Sequence, residues 1–176
     1  MEKKKYFIYH DPRKCIGCLA CEISCTDWKG LPFGIANCKI FKCGPEDHSD
    51  TPEMDFIYVS CFHCENPWCV EACPTGALSK DPSYGEVVLD KNLCVGCGAC
   101  VKVCPWGIPR WDPLTGTMSK CDFCVERLEQ GLEPACVTRC PTGALTFVSA
   151  EEFVYLKRRS WLSRIKQRHI EALEAK

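Results

Sequence analysis

The chain has 176 residues, room for one domain or two small ones. Its apolar fraction of 46% includes 18 cysteines, and without them about 36% of the chain is apolar, too little for a rich core at this length. Lysine and arginine number 22 against 23 aspartate and glutamate, so the formal charge of −1 offers no basic excess to a nucleic acid, and no apolar stretch approaches a membrane span.

The first residues, Met1 to Lys5, are basic, but the apolar stretch at 6–9 is too short for a secretory signal and no twin-arginine pair precedes Cys15. A cytoplasmic protein is expected, with export alongside a partner that carries its own signal as the alternative. Residues 6–10 predict a strand. The first cysteine run follows, Cys15-x2-Cys18-x2-Cys21-x3-Cys25. Residues 26–55 carry Gly30, Pro32, Gly34, Gly44, Pro45 and Pro52 and read as an inserted segment that is mostly loop. It also holds Cys38 and Cys43.

A second strand is predicted at 56–59, then the run Cys61-x2-Cys64-x4-Cys69-x3-Cys73. Brief strands at 77–78 and 86–89 lead to Cys94-x2-Cys97-x2-Cys100-x3-Cys104. A weak strand at 116–118 precedes Cys121-x2-Cys124-x11-Cys136-x3-Cys140, inside which residues 125–130 predict a short helix stopped by Gly131 and Pro134. A strand at 145–148 closes this part of the chain. The sequence Cys-Pro-Thr-Gly-Ala-Leu occurs at 73–78 and again at 140–145, and Asp-x3-Cys occurs at Asp11 and at Asp90. Such repetition suggests duplicated units of strand, cysteine loop, short helix and strand. From Ser149 the pattern turns helical, opened by a Ser149-x-x-Glu152 capping box. Trp161, Leu162, Ile165, His169 and Leu173 can share one face, opposite Lys157, Arg158, Arg159, Arg164, Lys166 and Arg168. Docking to a larger subunit is the favoured use of this tail, ahead of a solvated face or a membrane surface.

Sixteen cysteines therefore fall into four runs of four, and Pro74, Pro105 and Pro141 follow the last three. This is the bacterial ferredoxin spacing, in which three close cysteines hold one cubane and the fourth ligates another. Two intervening residues curl the chain around one cluster; a further x3 step advances about 6 Å if helical, so the fourth sulfur points elsewhere. Sixteen thiolates make four [4Fe-4S] cubanes with none left over. A zinc site needs four ligands, usually two separated pairs with some histidine, and no run here pairs cysteine with histidine. Nothing marks the chain as a secreted disulfide framework. Four cubanes with their thiolates would add a charge of about −8, making the loaded protein clearly acidic. Cluster binding of this kind couples to folding, so the apo chain is expected to be unfolded or molten.

The segments Cys61 to Cys64-Glu65-Asn66-Pro67-Trp68-Cys69 and Lys120-Cys121-Asp122-Phe123-Cys124 carry a closer resemblance. With the four runs they make residues 5–148 similar to the four-cluster, ferredoxin-like electron-transfer subunits of molybdopterin and tungstopterin oxidoreductases, such as those of dimethyl sulfoxide reductase, formate dehydrogenase and formate hydrogenlyase. The resemblance implies which runs share clusters: Cys15, Cys18, Cys21 and Cys140; Cys121, Cys124, Cys136 and Cys25; Cys61, Cys64, Cys69 and Cys104; Cys94, Cys97, Cys100 and Cys73. It implies an α+β fold of two nested ferredoxin-like halves, 1–55 with 105–148 around an inserted 56–104, followed by a C-terminal helix at 149–176. Four clusters in a row would form a wire.

Cys38 and Cys43 are left over and read as structural or free thiols, with a disulfide or regulatory role as the alternative. His10, His48, His63 and His169 read as ordinary residues, though His63 lies inside the second run, where a hydrogen bond could adjust a cluster's potential. Trp68, Trp106 and Trp111 are read as packing that keeps water from the cluster loops. No Gly-x-Gly-x-x-Gly fingerprint, phosphate loop or nucleophile–base constellation is present. The expected function is a non-catalytic electron-transfer subunit, with a molybdenum- or tungsten-pterin catalytic partner and further electron-transfer subunits possible beside it, in anaerobic metabolism. The alternative is a freestanding polyferredoxin serving soluble redox enzymes or a hydrogenase-type complex.

Overall fold

A computed structural model describes residues 5–46 and 53–174, with side chains described through Lys166. His48 and Pro52, and the side chains of Arg168, His169 and Leu173, lie outside the described residues. The fold is mixed α+β: the described residues form four separate two-stranded antiparallel sheets and six α-helices, with a 3-10 turn at Pro12–Lys14.

Strand β1 (Tyr6–His10) pairs with β8 (Leu145–Ser149), from Tyr6 opposite Ser149 to His10 opposite Leu145. The two ends of the cysteine-bearing region thus meet in one sheet. Strand β4 (Leu78–Lys80) pairs with β5 (Val87–Leu89), and β6 (Arg110–Asp112) with β7 (Thr117–Ser119). The strand β6 was not among the sequence expectations; three residues are too few to show an alternation.

The segment read as mostly loop is the largest correction. Helix α1 (Ala20–Lys29) runs into it and ends at Gly30, whose φ of +57° lets its N–H reach the Asp27 and Thr26 carbonyls. After a short connection, β2 (Cys38–Glu46) and β3 (Glu53–Ser60) form the longest hairpin in the molecule. Gly44 and Pro45 do not break it. They sit where the register shifts between Cys43 and Glu46, the place where a strand tolerates both residues. Cys38 and Ile40 face inward while Phe41 is exposed, so the strand alternation is present once cysteine is counted as apolar.

Isolated two-stranded sheets are marginal in water, so these are held by what they pack on. One core gathers Cys21, Cys25, Ala36, Cys38, Ile40, Tyr58, Cys136, Val137 and Leu145. A second gathers Leu78, Val87, Cys100 and Met118, with Cys69, Cys73 and Cys94 packed against it. Cysteines contribute to both, so the core and the candidate site are the same region.

The last helix, α6 (Ala150–Glu174), begins with the expected capping box: the Ser149 N–H donates to Glu152 Oε2 at 3.0 Å, and the Glu152 N–H to Ser149 Oγ at 3.3 Å. Its first turns pack on the β1–β8 sheet. Phe153 meets Phe7 and Tyr9, the Lys157 ammonium lies 5.8 Å from the Tyr9 ring, and Ser163 accepts a 2.8 Å bond from Arg13. Trp161, Leu162 and Ile165 instead stand exposed.

Candidate functional site: cysteine loops around two cores

Each run is a loop that leads into a short helix. Cys21 and Cys25 sit on α1; Cys69 on α2 (Trp68–Glu71); Cys100 on α3 (Ala99–Val103); and Cys136 on α5 (Ala135–Thr138). In the fourth run Cys124 caps α4 (Val125–Leu128), which is shorter than the helix expected at 125–130. Helix α1 packs against α5, and α2 against α3.

The residue before the second cysteine has positive φ in all four runs: Gly17 (+66°), His63 (+46°), Gly96 (+65°) and Phe123 (+59°). The left-handed step turns the loop back on itself, so successive thiols face one side. Glycine makes this step without strain in the first and third runs. In the second and fourth the same place holds two large rings, which meet at a tilt of 39° with centroids 3.8 Å apart. His63 and Phe123 are 1% and 2% exposed, and they form the contact between the two cores.

One cavity is lined by Cys15, Cys18, Cys21 and Cys140, together with His10 and Ile40. A second is lined by Cys25, Cys121, Cys124 and Cys136, together with Cys38 and Tyr58. Each draws three cysteines from one run and one from another. In the other core, Cys61 neighbours Cys64 and Cys104, and Cys69 neighbours all three. Cys73, Cys94 and Cys100 pack around Leu78, Val87 and Met118, while Cys97 is exposed. Across the contact between cores, Cys121 is close enough to Cys61 for their charges to interact.

No disulfide joins any of the eighteen cysteines. Among the described residues, no three His, Cys, Asp or Glu side chains converge as ligands of a single ion. The sulfurs of the first and fourth runs line two cavities instead. The donor set is soft thiolate throughout, the chemistry that iron–sulfur clusters require. Burial pushes the Cys124 and Cys100 thiols up to about 11 and the Cys136 thiol to about 12. Such buried sulfurs ionise only when a cation takes the place of the proton, and iron would supply it.

Hydrogen bonds to sulfur are already in place. The Tyr58 hydroxyl donates to Cys136 Sγ at 3.4 Å, the His63 N–H to Cys61 Sγ at 3.4 Å, and the Met118 N–H to Cys94 Sγ at 3.4 Å. The expected link from His63 to a cluster ligand therefore comes from its backbone. Its ring Nδ1 accepts the Val87 N–H at 2.8 Å, which assigns the proton to Nε2. Burial, with Lys120 and Lys80 adding to it, holds its pKa well below the ordinary histidine value. Tyr58 does not stand out in the sequence as a partner of these loops, and Lys120 is visible only as part of a motif, because both act through tertiary contacts. Trp68, Trp106 and Trp111 are each more than half exposed, so they cover the loops from outside rather than fill a core.

Cys38 is buried between the first two cavities, with Sγ 3.5 Å from the Cys21 carbonyl. Hydrogen bonding to the Cys21 and Cys25 sulfurs keeps its thiol protonated, well above the ordinary range. Its S–H donates to the Cys21 carbonyl beside these ligand sulfurs, whereas Cys43 is exposed on the hairpin. Cys38→Ala is expected to leave the iron content unchanged and to make an adjacent cluster harder to reduce by about 1 kcal/mol per electron, the size of one hydrogen bond. Iron analysis with a redox titration checks this. Loss of about four irons would make Cys38 a ligand instead.

No helix among the described residues is long and apolar enough to cross a membrane. Residues 52–150 match the 4Fe-4S dicluster domain, and residues 12–28 match a 4Fe-4S binding domain. The chain is 42% identical over 150 residues to the thiosulfate reductase electron transfer subunit PhsB of Salmonella typhi, covering 84% of this chain and 78% of that one. It is 43% identical over 145 residues to the NrfC homolog of Haemophilus influenzae, covering 82% of this chain and 64% of that one. It is 37% identical over 155 residues to the B subunit of the anaerobic dimethyl sulfoxide reductase of Escherichia coli, covering 84% of this chain and 75% of that one. With its cysteine-lined cavities and these relatives, the protein belongs to the 4Fe-4S dicluster family of iron–sulfur electron-transfer subunits of oxidoreductases.

Proposed function

We propose that the protein holds four [4Fe-4S] clusters and relays electrons to or from a molybdenum- or tungsten-pterin catalytic subunit, with no catalysis of its own. The ligand sets are Cys15, Cys18, Cys21, Cys140; Cys25, Cys121, Cys124, Cys136; Cys61, Cys64, Cys69, Cys104; and Cys73, Cys94, Cys97, Cys100. The observation that carries this is the pair of cavities that each gather four cysteines in a three-plus-one pattern from the first and fourth runs. Packing of α1 on α5 and of α2 on α3 supports an outer half, proposed as 1–55 with 105–148, and an inserted half, 56–104, though strands β3 and β7 pack across these bounds, with Tyr58 in the first core and Met118 in the second.

When bound, such clusters accept and pass on single electrons. The protein's part is to space the sites, exclude water and set potentials. Buried Cys21, Cys25, Cys100, Cys124 and Cys136 keep the sulfurs dry, and Tyr58 and the His63 and Met118 amides place donors on them. The names of the relatives support the kind of complex: thiosulfate reductase and dimethyl sulfoxide reductase both carry such a subunit.

Elemental analysis of the tagged complex, purified without oxygen from its native host, tests the reading. About sixteen irons per chain are expected, with molybdenum or tungsten alongside. Iron without either metal would point to a freestanding polyferredoxin or a hydrogenase-type partner. Little iron, with zinc in its place, would overturn the cluster assignment.

A further inference from the structure

Lys120 is 6% exposed, in the loop between β7 and Cys121. Its ammonium donates to the Val87 carbonyl on β5 and, at 2.5 Å, to the Cys121 carbonyl. It therefore ties a strand of one core to a cysteine loop of the other. The Val87 N–H, on the same residue, donates to His63 Nδ1. His63 in turn lies on Phe123, so Lys120, Val87, His63 and Phe123 together make the junction.

The two carbonyls satisfy hydrogen bonds but do not neutralise the charge. Among the described residues no carboxylate forms an ion pair with Lys120, while Lys5, Lys29, Lys39, Lys80 and Lys91 each have one. Burying an ammonium without an anion costs several kcal/mol. The anionic groups that its position can serve are the cysteine sulfurs. The Val87 residue that it holds bonds His63, whose own N–H donates to Cys61 Sγ at 3.4 Å. On the other side, Cys121 follows Lys120 directly and its sulfur interacts with that of Cys61.

Resting on the ligand sets proposed above, we propose that Lys120 is a positioning residue for electron transfer, a buried fixed cation that raises the reduction potentials of the two inner clusters. These are the sets containing Cys61 and Cys121, between which an electron must cross from one core to the other. A positive charge beside them favours the reduced form of each, because reduction adds negative charge in a region of low polarisability. It keeps the middle of the relay from becoming a barrier.

The test compares Lys120→Met, which keeps the length and removes the charge, with Lys120→Arg, which keeps the charge. Both are made in the anaerobically purified complex, and each is followed by iron analysis and a potentiometric titration monitored by electron paramagnetic resonance. With iron content retained, Lys120→Met is expected to lower two of the four potentials by a tenfold or larger change in the reduction equilibrium, 59 mV for one electron. Lys120→Arg is expected to stay near the unsubstituted protein. Four unmoved potentials with full iron would reduce Lys120 to a structural tie and overturn the proposal; so would an equal shift in all four. If Lys120→Met loads no iron, Lys120→Gln, which retains N–H donors without the charge, carries the same test with the same overturning result. Failure of the underlying reading is separate, because it shows as low iron in the unsubstituted complex.

Discussion

Gly96→Ala is expected to leave the third cysteine run without its cluster, so that the purified complex holds about four fewer irons per chain. Two independent costs meet at this residue. Its φ is +65°, where a side chain costs roughly 1–2 kcal/mol. An added Cβ would also lie inside van der Waals distance of both the Gly116 carbonyl oxygen and the Trp111 ring. The carbonyl is backbone in the turn between β6 and β7 and has no rotamer to change, so the loop from Cys94 to Cys97 must move instead.

Two other glycines separate these costs. Gly17 occupies the same place in the first run with φ +66°, but there the added Cβ meets the Phe56 ring, a side chain able to turn aside. Gly98, at φ +72°, has nothing within 4 Å. The expected order of iron loss is Gly96→Ala, then Gly17→Ala, then Gly98→Ala, with the last costing only the strain of about 1 kcal/mol. Iron analysis of the three variants reads the order directly. Equal loss at Gly96 and Gly98 would mean that backbone strain alone decides and the carbonyl contact does not matter.

What could be read from the sequence follows from the range of each interaction. Cysteine spacing is local, because three ligands of one cubane lie within seven residues in the first and third runs, nine in the second and sixteen in the fourth, and so all sixteen candidate ligands are visible in the runs. Which runs gather in space is not local, and it came from a resemblance. The strands at 6–10 and 145–148 show their apolar and β-branched residues plainly, and both appear in one sheet. Of the β2–β3 hairpin the strand at 56–59 was expected, but β2 was hidden because Gly44, Pro45 and Pro52 look like loop punctuation and because Cys38, counted as a spare thiol, is the inward residue that reveals the alternation. On α6 the apolar period pointed to Trp161, Leu162 and Ile165. On this chain the helix packs through Phe153 and Lys157, a residue that reads as charged but whose ammonium lies over the Tyr9 and Phe153 rings. Lys120, Tyr58 and Phe123 were present in motifs or strands already noted, yet their roles depend on partners 33, 78 and 60 residues away.

Phe123→Ala is expected to destabilise the loaded protein by about 3–5 kcal/mol, the usual cost of removing a fully buried ring. The ring does more than fill space. It lies 3.8 Å from His63 in the second run and meets Phe147 on β8 edge-on at 5.3 Å. Phe147 pairs across the sheet with Ile8 on β1 and stacks on Tyr6 at 5.0 Å. One side chain therefore links the fourth run, the second run and the sheet that closes the chain. For a protein of this size each kcal/mol moves the melting midpoint roughly 2–4 °C, so a drop of about 6–20 °C is expected in an anaerobic melt followed by the clusters' visible absorbance. Phe123→Leu keeps most of the volume and should cost less than about 1.5 kcal/mol beyond the lost ring stacking. Phe and Ala both carry a Cβ at φ +59°, so backbone strain cancels in the comparison and the loss reports the contacts. If Phe123→Ala melts within about 2 °C of the unsubstituted protein, the two cores do not depend on this contact and the junction must be held elsewhere.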